Sequence, residues 1–300
     1  MKKKTYLFAL MAMALTLGSC SDNENGIGGE TSKYITVSTS IGNMTRVATD
    51  ANGGQTFEEG DEISVYAWIG APTVSPETRE RVVNNAINKL TNGSWVSNPQ
   101  MLWKNNRDKH YFIGVYPTAA ISDLYAGEYT FDETKQVESD LLVAVNKDGL
   151  SYNVDEQQPV PLTFTHVMAK LVVNLTYKNQ WGGIPTVEKV AVGNAAKEAT
   201  INYLTKVVTP STTAKEDFSL PEITENTKYV SVIIPQEDVK QLTIVIGGKN
   251  FVYDNGTPFK LESGKITTIN LEVGRNEIKL GDVKITNWED GSTFSGEALN

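Results

Sequence analysis

The side chains that could carry out catalysis or bind a metal are few in this chain of 300 residues. It contains two histidines, His110 and His166, and a single cysteine, Cys20. A zinc site needs three or four His, Cys or carboxylate ligands, and neither histidine has further ligands at suitable spacing. No serine lies in a G-x-S-x-G turn, the usual setting of a hydrolase nucleophile. We therefore expect no enzymatic activity, metal or cofactor, and we expect His166 to be a structural imidazole bonded to a backbone carbonyl.

Cys20 follows a segment with the three parts of a secretory signal. Residues 2–4 are lysines, residues 6–17 are almost all apolar, and two small residues precede the cysteine. The apolar run is shorter than the roughly 20 residues that a membrane-spanning helix needs. The sequence LGSC at residues 17–20 resembles the lipobox of bacterial lipoproteins, in which the cysteine thiol is lipidated. An ordinary signal peptide with a stray cysteine is the alternative.

The residues that follow Cys20 are small, polar and acidic. Such a composition is typical of a flexible tether rather than of a folded segment. An acidic stretch directly after a lipidated cysteine also resembles the surface-export signal of lipoproteins in some Gram-negative anaerobes. We therefore expect a signal peptide over residues 1–19, a lipid tether over residues 20–33 and an outer-membrane anchor through lipid on Cys20.

The charge balance excludes one class of partner. The chain has 27 Lys and Arg against 36 Asp and Glu, a formal net charge of −9. Removal of residues 1–19 would take away three lysines and no acid, so the mature chain would be still more acidic. Because such a chain repels phosphate backbones, we expect no nucleic-acid partner. With one cysteine there can be no internal disulfide, and stability must come from apolar burial.

Alternation of apolar and polar residues dominates the mature chain and predicts β-strands. In the first candidate strand, Ile35, Val37, Thr39 and Ile41 share one face. Further candidate strands lie at residues 61–70, 111–117, 140–145, 170–177, 187–193, 229–235, 241–248, 265–273 and 281–288. Asn-Gly, Asp-Gly and Gly-Gly pairs between them predict turns. Many short strands with such turns favour an all-β protein of antiparallel sandwiches.

One segment has its apolar residues at the spacing of a helix rather than of a strand. Ser75-Pro76 could cap and open a helix that runs to Leu90. The apolar residues of its second half, including Val82, Ala86 and Leu90, would then lie on one face. We therefore predict a single helix over residues 76–90.

The strand series is interrupted at residues 155–166. Polar residues and two prolines stand there between apolar segments. A break at this point divides the mature chain into two units of ordinary domain size. We predict an N-terminal β-sandwich domain over residues 34–160 and a C-terminal one over residues 161–300.

The five tryptophans are the remaining candidates for ligand contact. Trp68 and Trp288 occupy strand positions, where an indole is usually part of the core. Trp95, Trp103 and Trp181 lie beside turn residues and are better placed to be exposed. An exposed indole face can stack on a sugar ring, so these three are candidate glycan contacts.

Several segments together resemble the fimbrillin family of pilus subunits. They are the lipobox, the pair TR at 45–46 before FEEGDEISVYAW at 57–68, and YFIGVYP, DLLVAV, PLTFTHVMAKLVVNL, SGKITTINLEV and VKITNWEDG further on. Their order covers nearly the whole mature chain. The resemblance implies two tandem transthyretin-like β-sandwich domains, lipoprotein export, assembly at the outer membrane into a fimbrium, and a role in cell adhesion.

The resemblance also implies how such a subunit is assembled. In the family, an arginine-specific protease removes the segment that contains the first strand, and the matching arginine here is Arg46. A strand donated by another pilus subunit would then fill the groove marked by Ile35, Val37, Thr39 and Ile41. The alternative is that Arg46 is only a polar residue between two strands.

The role within a pilus depends on whether this chain can donate a strand. After Trp288, only Phe294 and Leu299 are large apolar residues. This is a poor donor pattern unless residues 276–287 swing out, which favours a tip or accessory subunit. A monomeric surface lipoprotein that binds glycans is the alternative function.

Overall fold

The computed structural model describes residues 34–42, 56–152 and 158–288. Cys20 and Arg46 lie outside these residues. The described part of the chain is built from strands and one short 3-10 helix, as the alternation of its sequence predicted. None of its helices has the length and apolar character that crossing a membrane would require.

The strands follow each other with short connections. Their bounds are β1 Val37–Ile41, β2 Glu62–Ile69, β3 Val83–Thr91, β4 Ser94–Asn98, β5 His110–Tyr116, β6 Gly127–Thr130, β7 Leu142–Leu150, β8 Val160–His166, β9 Ala169–Tyr177, β10 Val187–Ala196, β11 Glu198–Asn202, β12 Val207–Pro210, β13 Lys215–Ser219, β14 Glu222–Thr224, β15 Lys228–Ile233, β16 Gln236–Ile246, β17 Lys249–Leu261, β18 Lys265–Val273 and β19 Ile278–Asn287. The 3-10 helix is Thr78–Glu80.

The first half of the chain forms a seven-stranded sheet in the order β1-β8-β7-β5-β2-β3-β4. Its strands pair antiparallel, except for the parallel pair of β1 and β8. The inner strand β2 is apolar on both faces: Val65 belongs to one core cluster and Tyr66 to another. The sheet is therefore buried on both sides over its middle strands.

The second half forms a five-stranded sheet, β14-β15-β9-β18-β19, and a four-stranded sheet, β13-β10-β16-β17. Alternate residues such as Val173, Leu242 and Ile269 are fully buried and belong to the same core cluster as Tyr66. The apolar core thus continues from the first half of the chain into the second.

The two halves are also joined through a backbone ladder. The three-stranded sheet β12-β11-β6 pairs β6 from the first half with β11 from the second. In addition, β8 pairs with β1 and β7, so the seven-stranded sheet extends to His166, beyond the domain boundary proposed at residue 160. The division into two domains and their transthyretin-like topology stay predictions.

The helix predicted over residues 76–90 is wrong. Only Thr78–Glu80 form a 3-10 turn, and from Val83 onward the segment belongs to β3, which pairs with β2 and β4. Val82, Val83 and Ile87 are β-branched and fit a pleated strand better than a helix. Asn85 has a φ of 55°, which interrupts any helical path. The hairpin that follows turns at Asn92-Gly93, both with positive φ, as expected for such a pair.

Candidate functional site

In the part of the chain that the structure describes, the first strand, β1, lies at the edge of the seven-stranded sheet and pairs only with β8. The parallel register runs from Val37 opposite Val160 to Ile41 opposite Phe164. Backbone bonds fix both ends of the segment: Ile35 N donates to Met101 O at 2.9 Å, and Gly42 N donates to Phe164 O at 2.8 Å. Because β1 is terminal in the sheet, its loss would break no other strand pair.

The four alternate residues singled out in the first strand face the interior to different degrees. Ile35 and Val37 are 2% and 6% exposed, and both belong to the core cluster that includes Leu162. Thr39 and Ile41 are half-buried. The strand and the preceding Ile35 therefore close one side of a core cluster whose other members are Met101 and residues of β2, β3, β5, β7 and β8.

An aromatic group surrounds the end of β1. The Phe57 ring makes edge contacts with Trp95, Tyr116 and Phe164 at centroid distances of 5.2 to 5.3 Å. Trp95 Nε1 donates to Thr39 Oγ1 at 3.0 Å. Trp95 thus holds the first strand in place, a role that its position beside a turn did not indicate.

Phe57 and Phe164 are site residues that sequence reasoning did not single out. Both lie in the segments that carry the family resemblance, and Phe164 alternates with Leu162 and Val160 along β8. That alternation was the available signal, since three inward apolar residues on one strand require a neighbour that covers them. What the sequence did not provide was the parallel pairing with β1.

Two depressions adjoin the strand and meet at its end. One, of about 750 Å³, runs along β1 and is bordered by Leu90, Trp95 and Pro159. The other, of about 380 Å³, is lined by residues of both halves of the chain, including Lys170 and Trp288. They share Ile41, Thr56 and Phe57 as lining residues.

Polar side chains line the second depression. His166 Nδ1 lies 2.8 Å from Asp140 Oδ1, and its ring stacks on Trp288 with centroids 4.1 Å apart and planes at 4°. The Nδ1 partner of this imidazole is thus a carboxylate, whereas the sequence predicted a bond to a backbone carbonyl, and its purely structural role stays a prediction. Burial lowers the pKa of Lys170 to about 8. Burial, together with the Asp61 carboxylate, raises the pKa of Tyr116 to about 12.

His110 is held by backbone groups in the first half. Lys104 N donates to His110 Nε2 at 3.0 Å, so the ring proton must be on Nδ1, which lies 3.0 Å from Asp108 O. Burial lowers the pKa of this imidazole. Trp103 packs edge-on against it at 4.9 Å. No group of three His, Cys, Asp or Glu residues in the described ranges is arranged to hold a metal ion.

The candidate glycan contacts do not come together. Trp95 and Trp103 are half-buried against the core cluster of the first half, whereas Trp181 packs against the cluster that the two halves share. Trp181 Nε1 donates to Val273 O at 3.0 Å. Trp68 and Trp288 are buried, as predicted. The candidate lipidation site Cys20 and cleavage site Arg46 lie outside the described residues.

Comparison with known proteins identifies similar chains. The model of the fimbrillin-like family matches residues 45–288. A proposed cell adhesion protein from Bacteroides ovatus has a TM-score of 0.64 and 17% identity, covering 85% of this chain and 98% of its own. One from Bacteroides uniformis has a TM-score of 0.64 and 17% identity, with 86% and 100% covered. A fimbrial protein from Bacteroides vulgatus has a TM-score of 0.52 and 14% identity, with 84% and 99% covered. No curated protein sequence matches the chain.

Proposed function

The chain belongs to the fimbrillin-like family of structural, non-enzymatic surface proteins, and from that premise we propose that it is a fimbrial subunit assembled by exchange of its first strand. The observation that carries this proposal is the position of β1. Among the described residues it is an edge strand that pairs with β8, and its Val37, together with the preceding Ile35, covers a core cluster.

Strand exchange would be driven by covering the sheet edge that loss of β1 exposes. Without β1, the β8 backbone groups that pair with it and the inward side chains Val160, Leu162 and Phe164 would face water. Unpaired ladder groups and exposed apolar surface are both unfavourable. A strand from a neighbouring subunit would restore the ladder by β-strand addition. Because this contact is heterologous, repetition builds a filament rather than a closed ring.

Release of β1 requires a cut between it and the rest of the sheet. Arg46 lies after β1 and before the segment that begins at Thr56, so an arginine-specific protease that cut there would detach β1 together with Cys20. The same cut would therefore separate the subunit from the lipid that we propose on Cys20. Two or more acyl chains would hold the uncut protein firmly at the outer membrane.

The lipid anchor has its own test. Expression of the full chain and of Cys20→Ala in a lipoprotein-exporting host should place the first in the membrane fraction and the second in the soluble fraction. Equal partition of the two forms would contradict lipidation at Cys20.

The position of the last strand supports a tip or accessory role. β19 is paired with β18 from Ile278 opposite Val273 to Asn287 opposite Lys265. A donor would have to give up this ladder before it could reach another subunit. We therefore propose that the chain accepts a strand more readily than it donates one.

The exchange can be tested with a labelled peptide. The soluble form, residues 21–300, would be cut with an arginine-specific protease and incubated with a peptide of residues 33–42. We expect the label to comigrate with the cut chain and not with the uncut one. A peptide in which Ile35 and Val37 are both serine is the matched control and should not bind. Equal uptake of the two peptides, or no uptake, would contradict strand exchange.

A further inference from the structure

A patch of cations and aromatic rings lies at one end of the second half of the chain. We call it the Trp181 patch and define it as Trp181, Lys249, Phe251 and Arg275. Because β9 and β18 run parallel, the segments that follow them, which carry Trp181 and Arg275, leave at the same end. The hairpin between β16 and β17 adds Lys249 and Phe251.

The indole of the patch is fixed in position. Trp181 Nε1 donates to Val273 O at 3.0 Å, and the ring lies 6.0 Å from the Phe251 ring at 64°. Trp181 is only half-buried, and the residues after it, Gly182, Gly183 and Ile184, are exposed, with Ile184 at 65%. An immobilised ring with accessible surface loses little freedom when a flat apolar ligand face packs on it.

Each of the two cations lies over one of the aromatic rings. Arg275 Cζ lies 5.8 Å from the Trp181 centroid, and Lys249 Nζ lies 4.8 Å from the Phe251 centroid. Lys249 Nζ also donates to Arg275 O at 3.1 Å, which joins the hairpin to the turn between β18 and β19. Both cationic residues are exposed.

Neither cation is neutralised within the described residues. The ion pairs of these residues include neither Lys249 nor Arg275. The nearby Glu277 is instead paired with Lys178 and Lys279. The patch therefore presents two cations outside the ion pairs of the described residues, although Glu188 lies close by, where its Oε1 accepts a hydrogen bond from Gly248 N at 2.8 Å.

We propose that the Trp181 patch binds a polysaccharide with carboxylated sugar units. The C–H face of a pyranose ring would pack on the indole, and its carboxylate would accept hydrogen bonds from the Arg275 guanidinium and the Lys249 ammonium. Guanidinium suits this task because its donors match the two oxygens of a carboxylate. A neutral sugar would gain from the ring but would offer no carboxylate to pair with the two cations. This site does not depend on strand exchange, because β1 and its groove belong to the seven-stranded sheet.

The test compares the affinity of the protein for one polymer with free carboxylates and with esterified ones. Residues 21–300 would be titrated calorimetrically with galacturonan oligosaccharides and with their methyl esters. We expect binding of the free acid only, weakened by raising the salt concentration. Arg275→Gln and Lys249→Gln should each weaken it by about tenfold, the usual effect of losing one charge-assisted hydrogen bond. Arg107→Gln removes an exposed arginine of the first half and serves as the matched control.

The outcomes separate a specific site from general charge attraction. Unchanged affinity for Arg107→Gln with weakened affinity for the two patch variants supports the proposal. Equal binding of acid and ester, equal loss in all three variants, or no binding of the acid would overturn it. Trp181→Phe keeps an aromatic ring and should weaken binding less than the charge variants. Its thermal unfolding would show whether any larger loss comes from misfolding.

Discussion

At the scale of single residues, His110 is a buried imidazole held neutral by its surroundings. Its Nε2 accepts a hydrogen bond from a backbone N–H, and a proton added there would have no acceptor. Burial lowers the pKa of the folded state below the value of about 6.5 found for an unfolded histidine. The native state therefore binds fewer protons than the unfolded state in this pH range.

This difference predicts a pH dependence of stability. The free energy of unfolding should be largest above pH 6.5 and should fall as the pH drops below it, until the pH passes the folded-state pKa. In His110→Gln this part of the slope should disappear. Urea unfolding of both proteins at pH 7.5 and pH 5.5 gives the change in the free energy of unfolding between the two pH values. The contributions of the other titrating groups cancel when this change is compared between the two proteins. Parallel slopes in the two proteins would show that His110 is not held neutral.

Two adjacent residues just before β1 allow a second test. Ile35 is buried and Thr36 is exposed, and both are in the segment bonded to its neighbours through the backbone. Ile35→Ala should lower the free energy of unfolding by about 2 to 4 kcal/mol, since it leaves a cavity in a packed core. Thr36→Ala should change it by less than about 0.5 kcal/mol. Similar effects of the two changes in denaturant unfolding would mean that the segment is not docked as described.

At the scale of elements, the pair of β1 and β8 can be locked. Ser40 Oγ lies 3.2 Å from Thr163 Oγ1, so cysteines at these positions would be near disulfide distance. The soluble form without Cys20 has no other cysteine to compete. We expect Ser40→Cys/Thr163→Cys to retain β1 after cutting when oxidised, and to exchange it for labelled peptide when reduced. Ser40→Cys alone is the control. Uptake of peptide by the oxidised double variant would contradict exchange at this groove.

Elements were predictable from sequence where the signal was local. Alternation gave most strands and the all-β class, and Asn92-Gly93 gave its hairpin. The helix predicted over residues 76–90 is wrong because apolar residues at helical spacing also fit a strand that contains an irregularity at Asn85. The conformation of Asn85 and the pairing with β2 on one side and β4 on the other decided the outcome.

Contacts between distant parts of the chain were not predictable in this way. The parallel pairing of β1 with β8 joins residues more than a hundred positions apart, and no local pattern specifies that partner. The bond from Trp95 to Thr39 also joins distant parts of the chain, and the turn residues beside Trp95 do not indicate it. The alternation of Ile35 and Val37 did indicate an inward face, but not what that face would cover.

At the scale of the whole molecule, the fold joins its two halves firmly. β6 and β11 share a sheet, and one core cluster includes residues of both halves. The first strand lies at an edge of the seven-stranded sheet, and its Val37 belongs to the other core cluster. We infer that β1 can be exchanged while the remainder of the molecule keeps its structure.

Proteolysis of the soluble form tests this most directly. Residues 21–300 and the variant Arg46→Lys would be treated with an arginine-specific protease, the new N-terminus would be identified by mass spectrometry, and the products would be run on an unboiled gel. We expect a single cut after Arg46, none at that position in Arg46→Lys, and a compact product. SDS-resistant ladders would identify a subunit that also donates a strand, whereas their absence would fit a tip subunit. Resistance at Arg46, or cutting at Arg79 and Arg81 instead, would contradict release of the first strand.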